Sequence, residues 1–146
     1  ATETSMVRFD DLNALREVIA RGFGDWGPDV TLDQDTADSF ATATSTPART
    51  DYAPDYLLPS LLPKLRPAND WRIGGHKSAL NIGCPQIRFL RPAPIGATVR
   101  CRSRLASAES RPRGIRMTME FEVENVAAEG LCMRLSIELL YQGEAA

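Results

Sequence analysis

Two aspartates and a serine lie close together in the chain: Asp51, Asp55 and Ser60. A carboxylate at hydrogen-bond reach of a substrate can take up and return a proton, and a nearby hydroxyl can hold a polar substrate group. Asp51 closes a stretch rich in Thr, Ser and Pro, so it reads either as a base or as a turn carboxylate. Asp55 opens the run PDYLLPSLLPKL. It reads either as a catalytic carboxylate or as an acid that meets the dipole of a following helix. His76 is the one histidine. An imidazole is a common proton carrier, but in Gly74-Gly75-His76-Lys77 it reads as a surface-loop residue. That glycine pair is not a phosphate loop, because the rest of the motif is missing. Cys84, Cys101 and Cys132 are an odd number without close spacing and without an adjacent histidine. They argue against a disulfide framework, a zinc cluster or an activated thiolate, and suit a reducing cytoplasm. No metal or cofactor motif is visible, so no cofactor is expected.

The elements that position these residues follow from periodicity. Leu57, Leu58, Leu61, Leu62 and Leu65 recur at helical spacing and predict a helix with one apolar side, started by Pro54, kinked at Pro59 and ended by Pro63 and Pro67. Such a stripe needs a broad apolar cover. The second half of the chain supplies one, because from Ser78 onward the period becomes two. Ile87 and Phe89 mark one strand. Ala97–Leu105, Ile115–Val123 and Leu131–Leu139 each alternate apolar with charged residues, the signature of an antiparallel sheet with one wet side. Arg100, Arg102 and Arg104 would then sit beside Glu120, Glu122 and Glu124 in cross-strand pairs. Turns are expected at Ser110–Gly114 and Asn125–Gly130.

Ahead of the leucine run, residues 1–9 are expected to form a loose arm, with Val7 and Phe9 able to tuck against the body. Asp10 or Asp11 can cap a helix over Leu12–Arg21, stopped by Gly22. Val30-Thr31-Leu32 reads as a short strand. Asp33 caps a second helix over Gln34–Ala43, with Ala37, Phe40 and Ala41 inward. The stretches 42–54 and 67–77 read as loops.

Composition bounds the partners. At 146 residues the chain is expected to form one domain, residues 1–146, and its net charge of −2 gives no electrostatic case for nucleic acid or an anionic membrane. The arginine row is answered by glutamates and reads as a solvated sheet face. No apolar run approaches the ~20 residues that cross a bilayer. The polar N-terminus does not read as a secretory signal, and a cytoplasmic location is expected.

This α+β pattern, a curved antiparallel sheet wrapped around a central apolar helix, resembles a single hot-dog domain. The stretch Asn81–Arg100, NIGCPQIRFLRPAPIGATVR, resembles the MaoC-like (R)-specific enoyl-CoA hydratase/dehydratase family, which carries N-x-G, then R-F, then P-V-x-x-G-x-x-(V/I)-R. Trp26, Val30-Thr31, Phe40-Ala41 and Thr44 are similar to its W…V-T…F-A-x-x-T lead-in, and Leu57–Leu65 to its L-T-L-S-L-L-P-K-L.

The resemblance implies a hydratase-type chemistry in which an aspartate and a histidine hold and deprotonate the water added to an enoyl thioester. Here Thr46 stands at the family's aspartate position and Asp51 at its histidine position. The loop before the central helix is shorter, and Ala53-Pro54-Asp55 replaces the family's A-H-G. The family glycine offers an N–H to the thioester carbonyl; Asp55 keeps the N–H and adds a carboxylate. The catalytic candidates are therefore Asp55 and Asp51, and the substrate-binding candidates are Ser60, Asn81, Gly83 and Tyr56. Arg88 is implied to be structural, pairing with a carboxylate at a dimer edge.

The resemblance further implies a small-molecule substrate carried on coenzyme A or acyl carrier protein. It also implies a homodimer or a dimer with a related hot-dog chain, with the pocket at the interface. Three functions stay open: a lyase-like enzyme with a divergent site, working by hydration, dehydration, isomerisation or cyclisation; an inactive subunit partnering an intact hydratase-like chain; and a ligand-binding module without chemistry.

Overall fold

The computed structural model describes residues 4–128 and 130–143. In chain order its elements are β1 (Ser5–Arg8), α1 (Leu12–Arg21), β2 (Val30–Thr31), α2 (Gln34–Thr44), α3 (Leu57–Ser60), α4 (Leu62–Leu65), β3 (Trp71–Gly74), β4 (Ser78–Phe89), β5 (Thr98–Arg111), β6 (Gly114–Asn125) and β7 (Leu131–Gln142). Five strands form a curled sheet in the order β2-β5-β6-β7-β4, and every pairing in it is antiparallel. This is the hot-dog architecture that the alternating segments imply.

The period-two faces behave as their polarity requires. Val99, Cys101, Leu105, Met117, Val123 and Met133 are buried on the inner face. On the outer face Arg100 opposes Glu124, Arg102 opposes Glu122 and Arg104 opposes Glu120, each at ion-pair distance. This face is drier than expected. The rings of Phe23 and Trp26 lie 4.6–4.9 Å from the three guanidinium groups, so the arginines are sandwiched between aromatic faces and carboxylates. The β5–β6 strands also run past the expected turn at Ser110–Gly114, down to a two-residue loop, Pro112-Arg113. Gly114 has a φ of 151°, and a Cβ there would strike the Tyr141 carbonyl.

The inner face is filled in two places. One cluster joins α3 and α4 to the sheet through Leu57, Leu58, Leu65, Val99, Cys101, Val123 and Met133. The other joins α1, β1 and β3 through Leu15, Val18, Val7, Trp71, Leu105 and Met117. Asp11 and Asp33 cap their helices as expected, accepting from Ala14 N at 3.1 Å and Thr36 N at 2.7 Å. Gly22 stops α1 with a positive φ.

Three expectations need correction. First, residues 5–8 are not part of a loose arm; they form β1, which pairs in parallel with β3 and buries Val7, with Phe9 buried just beyond it. Residues 1–3 of that arm lie outside the described residues. Second, the loop expected over 67–77 contains β3 itself. Third, the leucine helix is two single turns joined at Leu61, not one helix bent at Pro59. Pro59 sits in the first turn of α3, where its missing N–H costs nothing. Pro63 is the breaker: in a continuous helix its absent N–H and its ring would both meet the carbonyl of Pro59. Each proline thus starts a turn, and Arg66, in the left-handed region, ends the second. Leu57, Leu58 and Leu65 are buried, while Leu61 and Leu62 are half-buried.

Among the described residues no helix is long and apolar enough to cross a membrane.

Candidate active site

The loop before α3 is pinned to residues 93–95 by main-chain bonds. Ala53 N donates to Ala93 O at 2.8 Å and Ile95 N to Asp51 O at 3.0 Å. On the other side Gln34 Nε2 reaches Arg49 O at 2.7 Å, tying the loop to α2. Leu57 N bonds Pro54 O, which turns the chain into α3. These anchors leave a cleft of about 360 Å³ lined by Phe40, Thr46, Pro47, Arg49, Pro54, Asp55 and Tyr56. Its walls are mostly apolar, with one carboxylate, Asp55, and one guanidinium, Arg49.

Of the residues chosen from sequence, Asp55, Tyr56 and Thr46 line the cleft together. Tyr56 stands 67% exposed at the rim, its ring edge-on to Phe89 at 5.4 Å. Thr46 is bound into the end of α2. Its N–H donates to Ala41 O at 3.0 Å, and its hydroxyl meets that of Thr44 at 2.9 Å.

Asp51 lies one residue pair away from the cleft lining. Its two oxygens accept from Arg49 Nε and Nη2 at 2.9 and 3.0 Å, and Oδ1 also accepts from Tyr52 N at 2.7 Å. The Arg49 hydrogen bonds, helped by the Tyr52 N–H, hold its carboxyl down at about 2. A carboxylate so stabilised attracts a proton weakly. Ser60 spends its hydroxyl on its own turn, donating to Tyr56 O at 2.8 Å and Leu57 O at 3.0 Å. Asn81 and Gly83 sit farther along β4, opposite Leu139 and Glu138. At ~3.3 Å per residue they are remote from the Phe89 end, where Tyr56 stands.

Sequence reasoning missed Arg49. Its signal was local: two residues before Asp51, it can fold back on that carboxylate. It also missed Pro47 and Pro54 as cleft walls, which no spacing rule marks.

The remaining titratable candidates are placed by packing. His76 lies in the loop between β3 and β4, as expected, but it is half-buried there, edge-on to Phe9 at 6.4 Å and to Tyr141 at 4.8 Å. Burial pushes the Cys101 thiol up to about 12 and also raises Cys132. Cys84 is exposed. Among the described residues no group of three His, Cys, Asp or Glu could hold a metal ion.

No protein-family model matches the chain, and no curated protein matches it by sequence. Solved structures do match in shape. The ChsH1–ChsH2 complex of Mycobacterium tuberculosis aligns with a TM-score of 0.68 at 13% identity, over 93% of this chain and 98% of that one. The chain has the hot-dog fold of the MaoC-like dehydratases. A MaoC-like dehydratase from Phytophthora capsici gives 0.65 at 17% identity over 90% of this chain, which spans half of that longer one. The HadBC (3R-hydroxyacyl-ACP dehydratase) complex of Mycobacterium tuberculosis gives 0.55 at 13%, over 80% and 95% of the two chains. Within that fold the cleft lies at the entry to the leucine turns.

Proposed function

We propose that the cleft takes an acyl thioester, or a hydrophobic small molecule derived from one, and that Asp55 moves the proton. The reaction is a hydration, dehydration, isomerisation or ring closure. The observation that carries this reading is the position of Asp55, the one carboxylate in a mostly apolar cleft that Arg49 also lines, in a hot-dog fold like that of the MaoC-like dehydratases. One carboxylate can pass a proton between two substrate carbons, or take it from water and return it. Asp51, clamped by Arg49, sets the charge and position of that arginine at the cleft wall. Coenzyme A and acyl carrier protein are the candidate carriers; a relative named as an acyl-ACP dehydratase supports the latter.

Asn81 and Gly83 contribute to substrate binding through a second chain paired along β4, because within one chain they lie away from the cleft. Ser60 joins them once its hydroxyl leaves the carbonyls of Tyr56 and Leu57. A dimer, with a second copy or with a related hot-dog chain, therefore belongs to this reading. Two of the structural relatives are two-component complexes.

A second reading is a non-catalytic subunit that completes an intact hydratase-like chain. It is favoured by Thr46 and Asp51, which stand at the family's acid/base positions with their polar atoms already engaged. Steady-state assays with crotonyl and longer enoyl thioesters separate the two. The first expects turnover by the chain alone, lost in Asp55→Asn and kept in Asp51→Asn. Wild-type turnover in both variants overturns the role given to Asp55. Turnover that arises only on mixing with a hydratase-like chain supports the second reading, and saturable binding without product leaves a binding module.

A further inference from the structure

The outer face of the sheet changes character at one end. Along β5 and β6 it carries arginine–glutamate pairs, but where β4 begins the same face is apolar. Leu80 stands opposite Leu140, and Leu140 opposite Arg116. Ile82 follows at the bulge between Asn81 and Gly83. Leu80 and Ile82 are each 48% exposed, so neither serves the core. Apolar side chains grouped in the open and rimmed by polar ones mark a binding surface. Bulges likewise gather beside sites, where they re-aim side chains.

The tip of the β5–β6 hairpin borders this patch. Ile82, Leu140 and Pro112, with Arg111, Arg113 and Arg116, line a hollow of about 330 Å³, within the size range of small-molecule pockets. Its wall is apolar, because the arginines lend it their methylene stems. The tip is held in place. Gln142 Nε2 donates to Arg113 O at 3.0 Å, and Gly114 passes so close to the Tyr141 carbonyl that no Cβ fits between them. Glu109 Oε2 accepts from Arg111 Nη2 at 2.6 Å and from Arg116 Nη2 at 2.8 Å. One carboxylate thus serves two guanidinium groups. Among the described residues Arg113 has neither an ion pair nor a side-chain hydrogen bond. The hollow therefore joins an apolar wall to an unanswered positive charge.

We propose that this hollow binds a small amphipathic anion, an alkyl or aryl carboxylate. Its apolar body lies on Ile82, Leu140 and Pro112, and its carboxylate meets the guanidinium of Arg113. A guanidinium fork matches a planar carboxylate, and a fork without a partner gives up no existing bond to take one. A neutral apolar molecule leaves that cation unanswered, and a bare inorganic anion leaves the apolar wall wet. The two features together select the class. The size of the hollow argues for a free small molecule over a protein segment, whose interface is several times larger. The site is separate from the Asp55 cleft. Along β4, Ile82 lies roughly 20 Å from Phe89 at ~3.3 Å per residue, and on the other face, because Phe89 packs against the core. The proposal depends on neither the chemistry nor the dimer proposed above.

An NMR titration of the full, isotope-labelled chain with sodium decanoate tests it, at low salt and below the micelle concentration. Circular dichroism shows that each variant folds. Saturable amide shifts are expected at Ile82, Leu140 and residues 111–116. Sodium acetate, which offers the charge alone, and decanol, which offers the chain alone, are each expected to bind about tenfold or more weakly. Arg113→Glu and Ile82→Ser are each expected to weaken decanoate by about tenfold or more. Arg16→Glu, a charge reversal on the exposed side of α1, is expected to leave binding unchanged. The site is overturned by decanoate binding that keeps its wild-type strength in Arg113→Glu, by acetate that binds as tightly as decanoate, or by the absence of saturable shifts. Decanoate shifts confined to the Asp55 cleft also overturn it, and they leave the function proposed above standing.

Discussion

Arg102 donates from both Nε and Nη2 to one oxygen of Glu122, at 2.9 and 2.7 Å, and Glu122 is 5% exposed. Its other oxygen takes Arg134 at 3.2 Å. One nearly buried carboxylate thus ties β5, β6 and β7 together on the face that the sequence marked as wet. Removing it leaves Arg102 and Arg134 without a counter-charge. Both partner arginines keep part of their surface in water, which lessens the cost. Glu122→Ala is expected to lose about 2–3 kcal/mol in urea unfolding. Glu109→Ala, an exposed carboxylate on the exposed Arg111 and the half-buried Arg116, serves as a control expected to lose under about 1 kcal/mol.

The Arg49–Asp51 clamp predicts an acid transition in the cleft loop. The folded Asp51 titrates at about 2, below its ordinary 3.8, so the clamp is fully present above the ordinary value and fades as pH falls from there towards 2. A carboxyl-carbon NMR titration should place the Asp51 midpoint near 2. In Arg49→Gln the largest cause is gone, and the midpoint should rise towards the ordinary value. A midpoint unchanged by that substitution would show that the clamp does not form in solution.

Leu65 is fully buried against the sheet, at the end of the second leucine turn. Truncating it to alanine leaves a cavity in the larger of the two core clusters. The expected loss is about 3 kcal/mol, read as a lower urea midpoint at an unchanged slope. Leu61→Ala, at the half-buried junction of the turns, should lose less.

Burial raises the thiols of Cys101 and Cys132, and Cys84 is open to solvent. A thiol reagent at neutral pH should therefore titrate one group quickly in the native chain and the other two only on unfolding. Cys84→Ser should abolish the fast phase. Rapid labelling of all three would contradict the closed inner face.

Asp55→Asn should lower kcat/KM on an accepted enoyl thioester by at least about 100-fold while leaving KM nearly unchanged, because a proton carrier acts mainly in the transition state. A rise in KM at constant kcat would instead make Asp55 a binding residue.

The sheet was legible because its rule is local. Alternation along Thr98–Arg111 or Gly114–Asn125 assigns each side chain to a face without knowledge of the neighbour, and opposite charges two by two gave the pairing. The caps at Asp11 and Asp33 were legible for the same reason. The leucine run was legible as apolar, but its break was misplaced. Pro59 stands out by eye, yet the clash that matters runs from Pro63 back to the carbonyl four residues earlier. β1 and β3 escaped notice because each is four residues long, and their parallel pairing joins segments more than sixty residues apart.

The sequence by itself determined the hot-dog fold and the inward faces of its strands. The tertiary structure decided what surrounds each remaining carboxylate. It turned Asp51 into the partner of Arg49, put Asp55 in a mostly apolar cleft that Arg49 also lines, and dried the space around Glu122 with Phe23, Trp26 and two arginines. The reason is physical. Periodicity fixes which way a side chain points, and that depends on the residue's own backbone. Basicity and charge pairing depend on dielectric and on the charges within a few ångströms, and those come from loops and strands that only the fold brings together.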